Sequence, residues 1–384
     1  MKQGYIKSLD GVRAIAIILV MAFHAGLVEF GWMGVQLFFV LSGFLITRIL
    51  WSEKKKDTPL HYKFKKFWVR RSLRIFPLYF GFLIFLGITY LVADFPYYYS
   101  RFIPYLSTYT FNYTRTFEDW IITPLFTHLW SLSIEEQFYF FFPLVIFFTP
   151  PRFIKIFMIA VVLLSPLIRL LLGNYFTSQG HSEFVVADAV YWHTLSHLDA
   201  FFAGGLVSIL SLDSKITKPG RWLLFSVILV ISAGFLNYLL VGEEGSYLLS
   251  FGYGHGRSAN YEHVWYYTVL NFMFAALVLN LVSDRTNSLI KKVLENPWMV
   301  RIGRVSYGMY IFHWAILTYV FFHFFNMENA GTRWLLFIPY LATVYLFSEL
   351  SFRLFEVKFI NMKDRFFPDR HKAKDNIPSA ETGK

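Results

Sequence analysis

A chain of 384 residues that is 56% hydrophobic, 21% aromatic and only 16% charged, with a mean hydropathy of +0.45, excludes an ordinary soluble surface, because soluble domains carry about 25% charged residues. The absence of cysteine excludes a disulfide scaffold, a thiolate metal site and a cysteine acyl-enzyme. A net charge of +11 in so apolar a chain points to nucleic acid, to anionic lipid, or to positive charge sorted onto one side of a membrane.

Apolar stretches of about 20 residues, enough to cross roughly 30 Å of hydrocarbon at 1.5 Å per residue, recur along the whole chain. They predict ten transmembrane helices: Val12 to Phe30, Met33 to Leu50, Ile75 to Ala93, Glu136 to Phe148, Phe153 to Gly173, Ala189 to Leu210, Trp222 to Val241, His263 to Leu281, Val305 to Phe325 and Trp334 to Arg353. The fourth is short and the sixth partly polar. With the amino terminus inside, 31 of the 36 Lys and Arg fall in inner segments, and the opposite side keeps Arg101, Arg115, Arg169, Arg257 and Arg333. Every alternation then obeys the positive-inside rule. A nucleic-acid partner is not expected, since the inner positives are spread over six short segments rather than gathered on a soluble face. The expected fold is an all-α, polytopic membrane helix bundle of about ten transmembrane helices with both termini cytoplasmic. One domain over residues 1–360 is followed by a basic, disordered cytoplasmic tail over 361–384. Lys2 and Lys7 ahead of the first apolar run resemble a signal peptide, but no small-x-small site closes the run and Arg13 and His24 lie within it, so cleavage is not expected.

Ionisable groups inside a span are costly and so mark candidate functional sites. Arg13 and His24 in the first span are eleven residues apart, which at about 100° per residue returns to nearly the same face and separates them by roughly 16 Å. The arginine would sit at the cytoplasmic mouth and the histidine beyond mid-membrane; an anchoring arginine and a packing histidine explain the same positions. In the second span Ser42 and Gly43 read as small residues for close helix contact, since a serine nucleophile would need a base within reach. Arg71 and Arg74, three apart at the start of the third helix, share a face. Two planar guanidinium groups there suit a phosphorylated ligand or, equally, anionic lipid.

The outer loop from Asp94 to Ser133 carries Tyr97, Tyr98, Tyr99, Tyr105, Tyr109, Tyr113, Trp120 and Trp130, as an interfacial belt or as sugar-stacking faces. It leads into Glu135 and Glu136. Adjacent residues point about 100° apart, so at most one is expected to face a cavity shared with His24. In the ninth span Ser306, Tyr310 and His313 fall at i, i+4 and i+7, one polar stripe toward the bundle interior, suited to hydrogen bonds between helices.

These segments together resemble the acyltransferase-3 family of integral-membrane acyltransferases, which O-acetylate bacterial surface polysaccharides. The resemblance spans nearly the whole chain. It rests on Leu9-Asp10-Gly11-Val12-Arg13-Ala14 with His24, on Phe38-Phe39-Val40-Leu41-Ser42-Gly43-Phe44-Leu45-Ile46, and on Arg70-Arg71-x-x-Arg74-Ile75-x-Pro77. Trp130-Ser131-Leu132-Ser133-x-Glu135-Glu136-Gln137-Phe138-Tyr139 and Gly303-x-x-Ser306-Tyr307-x-x-Tyr310-x-x-His313 complete it. The family usually has Asp where Gln36 stands, Arg where His197 stands, and Pro where Lys358 stands. Some relatives append an extracytoplasmic hydrolase-like domain, which is not expected here.

The resemblance implies an inner-membrane bacterial enzyme that moves an acyl group, most simply acetyl, from cytoplasmic acetyl-CoA to a hydroxyl of a cell-surface or lipid-linked saccharide, without a metal. Arg71 and Arg74, with Arg13, would hold the CoA phosphates. His24 would be the general base, a role that suits its unperturbed pKa of about 6.5. Glu136 would orient its imidazole, and Tyr310 or Ser306 would donate to the thioester oxygen as it becomes an oxyanion. Direct transfer in a ternary complex is the simpler scheme in a chain without cysteine. Succinyl transfer, a glycan transporter or flippase, and a non-catalytic assembly scaffold are the competing readings; transport would predict an internal repeat, which the chain does not display.

Overall fold

The computed structural model describes residues 5–93, 95, 98–117, 120–241, 250–256, 260–283, 289–325, 327 and 329–367. The regular structure among them is helical, with no strand. In chain order the main helices are α1 (Lys7–His24), α2 (Met33–Lys54), α3 (Leu60–Ala93), α4 (Tyr99–Ser107), α5 (Trp130–Phe148), α6 (Pro151–Ser178) and α7 (Glu183–Trp192). They are followed by α8 (Leu198–Ile209), α9 (Pro219–Val241), α10 (Glu262–Val282), α11 (Pro297–Ile316), α12 (Ala330–Ser351) and α13 (Val357–Phe366). The helix α13 continues past residue 361, and the rest of the expected tail, 368–384, lies outside the described residues, as does Arg257.

Eight helical stretches among the described residues are long and apolar enough to cross a membrane. They coincide with eight of the ten predicted spans. The other two differ for a physical reason. α1 has 18 residues and carries Lys7, Asp10 and Arg13, while the sixth span is not one helix. It breaks after Trp192, passes through a 3-10 turn at Thr194–His197 and resumes as α8. The polar run His193-Thr194-Leu195-Ser196-His197 causes the break, and the His193 ring accepts from the Leu195 amide at 3.3 Å.

Both helices are interior ones. α1 packs along α11, and α2 along α8, while α6, α10 and α12 pack around them. Residues Ala14, Ala16 and Ile17 of α1 and Ala200 and Phe201 of α8 are fully buried. A helix wrapped by protein can carry charge that a lipid-facing one cannot. The outermost case is α9, with only 17% of its most apolar window buried, against 72% for the stretch containing α2.

Close approach comes from glycine. A Cβ on Gly43 would run into the Phe201 carbonyl, and one on Gly204 into the Val40 carbonyl, so α2 and α8 touch backbone to backbone. The expected packing role of Gly43 is thereby accounted for.

Two expectations need correction. Arg169 is not an outer-loop charge; it lies inside α6 and is fully buried. Its guanidinium pairs with Asp199 at 2.9 Å, donates to the carbonyls of Val264 and Ser196 at 2.8 Å each, and bonds Thr268. Arg71 and Arg74 are not at a helix start, because α3 begins at Leu60, eleven residues before Arg71. The apolar residues Phe64, Phe67 and Trp68 interleave with the basic ones and let the helix form ahead of the apolar core of the span. Replacing Asp199 by Ala would leave the Arg169 charge buried without a counter-ion, at a cost of about 3–5 kcal/mol; Asp199→Asn, which keeps an acceptor, should cost less. Thermal unfolding in detergent checks the order.

Candidate functional site

The polar residues of five helices converge on one cavity of about 100 Å³. Arg13 from α1, Ser42 from α2, Arg71 and Arg74 from α3, Glu135, Glu136 and Tyr139 from α5, and Ser306 and Tyr310 from α11 all line it. Six of the seven residues singled out in the sequence are therefore brought together. The seventh, His24, is not in the lining.

Charge in the cavity is unevenly satisfied. Arg13 is paired with Asp10, one turn away on α1, and Asp10 also accepts from the Tyr5 hydroxyl. Glu135 accepts from both the Ser42 and the Tyr139 hydroxyls. Arg71 lies over the Tyr139 ring with its guanidinium carbon 5.1 Å from the ring centre. Among the described residues Arg71, Arg74 and Glu136 make no side-chain hydrogen bond and no ion pair within 4 Å; Arg71 acts on Glu136, and Arg74 on Glu356, only across space. Arg71 is half-buried and Arg74 exposed, so this end of the cavity opens outward. Two planar cations at an opening have the chemistry to bind a phosphorylated group.

Both glutamates line this cavity, which His24 does not share. The cost of two adjacent carboxylates is offset by the hydroxyls on Glu135 and by the arginines opposite.

The polar stripe of α11 is buried as expected: Ser306, Tyr310 and His313 are all interior. Tyr310 donates to the His128 carbonyl at 2.9 Å and lies 2.6 Å from the Ser131 hydroxyl. Ser306 has no partner among the described residues.

At the far end of α1, one turn of α11 beyond Tyr310, His24 meets His313. His24 Nδ1 lies 3.1 Å from the Val20 carbonyl and 3.0 Å from His313 Nε2. A carbonyl only accepts, so the His24 proton is on Nδ1 and its basic nitrogen is Nε2. By the same logic His313 donates from Nδ1 to the Tyr310 carbonyl at 2.6 Å and turns a lone pair on Nε2 toward His24. Trp314 backs the His24 ring at 4.2 Å between centroids. Glu136 is not among the groups bonded to His24, contrary to its expected orienting role.

Sequence reasoning missed Ser42 as a cavity residue, together with Glu135, Tyr139, Ser131, His128 and the pairing of His313. All but His128 stood within recognised motifs, but nothing in one chain says which members touch. Three of the loop's aromatics are packed inward, while Tyr98 and Tyr113 are exposed: Tyr99 donates to the Leu83 carbonyl at 2.7 Å, Tyr109 stacks on Tyr79 at 4.5 Å and Trp130 stacks on Trp192 at 5.4 Å. Tyr97 lies outside the described residues. Among the described residues no group of three or more His, Cys, Asp or Glu is arranged to hold a metal ion.

The acyltransferase-3 family model, described as an acyltransferase domain, matches residues 6–351. A curated Staphylococcus aureus protein (strain COL) that bears a provisional O-acetyltransferase name is 30% identical over 375 residues, covering 93% of this chain and 58% of the relative. O-acetyltransferase OatA of the same strain is 29% identical over 373 residues, covering 92% and 57%. The chain thus spans a little under three-fifths of the length of these curated relatives. No solved structure matches it.

Replacing Arg71 or Arg74 by Met removes one cation from the opening. A phosphorylated ligand that uses both cations should bind roughly tenfold or more weakly after either change, the size of a lost charge-assisted hydrogen bond; titration calorimetry with CoA as the probe checks it.

Proposed function

Because the chain belongs to the acyltransferase-3 family, we propose that it is a membrane O-acetyltransferase that moves an acetyl group from cytoplasmic acetyl-CoA to a hydroxyl of a saccharide displayed on the outer face of a bacterial inner membrane. Its membrane domain covers residues 1–360, with 361–384 as a cytoplasmic tail. Ten crossings with both termini inside are supported by the charge sorting, in which 31 of 36 positives share one side. Burial of Arg169 within α6 removes one of the five exceptions and leaves the sorting cleaner.

The observation that carries the reading is the convergence of Arg13, Arg71, Arg74, Glu136, Ser306 and Tyr310 on one cavity, with His24 outside its lining, eleven residues along α1 from Arg13. Arg71 and Arg74 hold the phosphates of the donor. Arg13, already paired with Asp10, contributes less charge than its two neighbours. The acyl-bearing arm extends past Ser306 and Tyr310 toward His24, roughly 16 Å along the axis of α1.

His24 Nε2 takes the proton of the acceptor hydroxyl as the oxygen attacks the thioester carbonyl, then returns it to the leaving thiolate. The Tyr310 proton is held by the His128 carbonyl, so Ser306, whose hydroxyl has no competing partner among the described residues, is the better donor to the developing oxyanion.

Replacing His24 by Ala should abolish O-acetylation of the surface glycan while expression, membrane insertion and CoA binding persist. Mass spectrometry of the glycan from cells with the wild-type chain, the variant and no chain tests it. Retention of the acetyl mass in the variant overturns the assignment, and no mass difference in any of the three overturns the enzyme reading itself.

A further inference from the structure

We propose that His313 is the positioning residue for the His24 base: its neutral imidazole holds the His24 ring and accepts the Nδ1 proton as Nε2 takes up the acceptor's proton. The inference rests on the reading of His24 as the base. It assigns to His313 the orienting role that the sequence pattern gives to Glu136.

The geometry leaves little freedom. The two rings face one another nitrogen to nitrogen at 3.0 Å, with centroids 5.0 Å apart and planes tilted by 48°. His313 is fully buried. Its Nδ1 is tied to the Tyr310 carbonyl at 2.6 Å and its own carbonyl accepts from the Tyr340 hydroxyl at 3.0 Å. The ring therefore cannot turn its Nε2 lone pair elsewhere without breaking its hydrogen bond. His24 is fixed in turn between that lone pair, the Val20 carbonyl and the Trp314 face.

In serine-hydrolase triads a carboxylate takes this position, holding the histidine in one tautomer and stabilising the imidazolium. No carboxylate among the described residues bonds either ring here. The other titratable or charged groups around the pair are His128, whose ring lies 5.1 Å from that of His313, and His255, which packs on Phe23 at 5.6 Å and faces Asp188 at 3.5 Å. Tyr310, Tyr340 and Arg333, whose guanidinium lies against Gly26, complete the set. A lone carboxylate in this place would be a buried charge whenever His24 is neutral, whereas an imidazole is uncharged at rest and bears charge only during the reaction.

The step balances. The acceptor O–H bond breaks, its proton goes to His24 Nε2, and the oxygen's electron pair forms the new C–O bond at the thioester carbon. The His24 Nδ1 proton moves to His313 Nε2, and His313 keeps its own Nδ1 proton on the Tyr310 carbonyl. Collapse of the intermediate breaks the C–S bond, the thiolate takes the Nε2 proton, and the Nδ1 proton returns to His24.

The test uses inside-out membrane vesicles bearing the full chain, supplied with acetyl-CoA labelled in the acetyl group, with label counted in the glycan fraction across pH. His313→Leu should lower the maximal rate roughly 10²-fold or more with KM for acetyl-CoA unchanged, and should move the acid limb of the pH–rate profile to lower pH. His313→Gln, which still accepts from Nδ1 but cannot take the proton, should recover part of the rate. His313→Glu should move the acid limb above the wild-type position, because a carboxylate beside Nδ1 favours the protonated ring. For a merely structural residue Leu and Gln would behave alike, with no recovery of rate from the restored acceptor at Nδ1. If His24→Ala is inactive while His313→Leu keeps the wild-type rate and limb, the positioning role is overturned and the base stands. If His24→Ala still transfers label, the base reading falls by itself.

Discussion

The constraint on which everything else depends is that a polar group inside a bilayer must be enclosed by protein. α1, which carries Asp10 and Arg13, and α8, which carries Asp199, are wrapped by neighbouring helices, and the apolar α6 and α9 are spent on the periphery. Glycines at the α2–α8 contact let backbones meet, which leaves no lipid-sized gap beside Asp199 and Arg169. The buried ion pair they form could exist only there. Its carboxylate and guanidinium are bonded to each other, to Thr268 and to two carbonyls, and this network pins α6, α8 and α10 together around the functional helices.

Within that enclosure, charge is distributed unequally, and the inequality is informative. Asp10 neutralises Arg13, and the Ser42 and Tyr139 hydroxyls satisfy Glu135. Arg71, Arg74 and Glu136 are left over at the cavity. Structural ion pairs close on themselves; groups that face a cavity without partners among the described residues are suited to a visitor. The pattern continues along the bundle, where the His24–His313 pair is bonded on every nitrogen except His24 Nε2.

Much of this was legible in the sequence. Apolar length found eight of the ten spans as long apolar helices, because it follows from the thickness of hydrocarbon. The stripe of Ser306, Tyr310 and His313 was legible from helical period alone. Contacts were not. His24 and His313 are 289 positions apart, and Ser42 and Glu135 are 93 apart, so no local pattern links them. Arg169 was misassigned because counting charges treats every arginine near a span end as solvated, and only tertiary structure reveals a counter-ion from another helix. The break in the sixth span was visible as polarity in the sequence, but periodicity cannot say whether a polar run bends a helix or stops it.

The departures from the family pattern become intelligible by the same route. Gln36 and His197 stand where the family usually has Asp and Arg, on spans far apart in the chain, and considered singly each looks like the loss of a charge. In the fold they touch: His197 Nδ1 and Gln36 Oε1 are 3.0 Å apart, both residues are fully buried, and Gln36 also donates to Asn271 at 2.7 Å. Removing one member of a buried ion pair strands the other charge at a cost of several kcal/mol, whereas exchanging both for groups that hydrogen-bond each other can be close to neutral. The two positions meet at the contact between the second helix and the turn that precedes α8. That contact lies behind Phe39 and Phe201 rather than in the lining of the cavity, so a change of charge there alters how the enclosure is held without altering what the cavity presents.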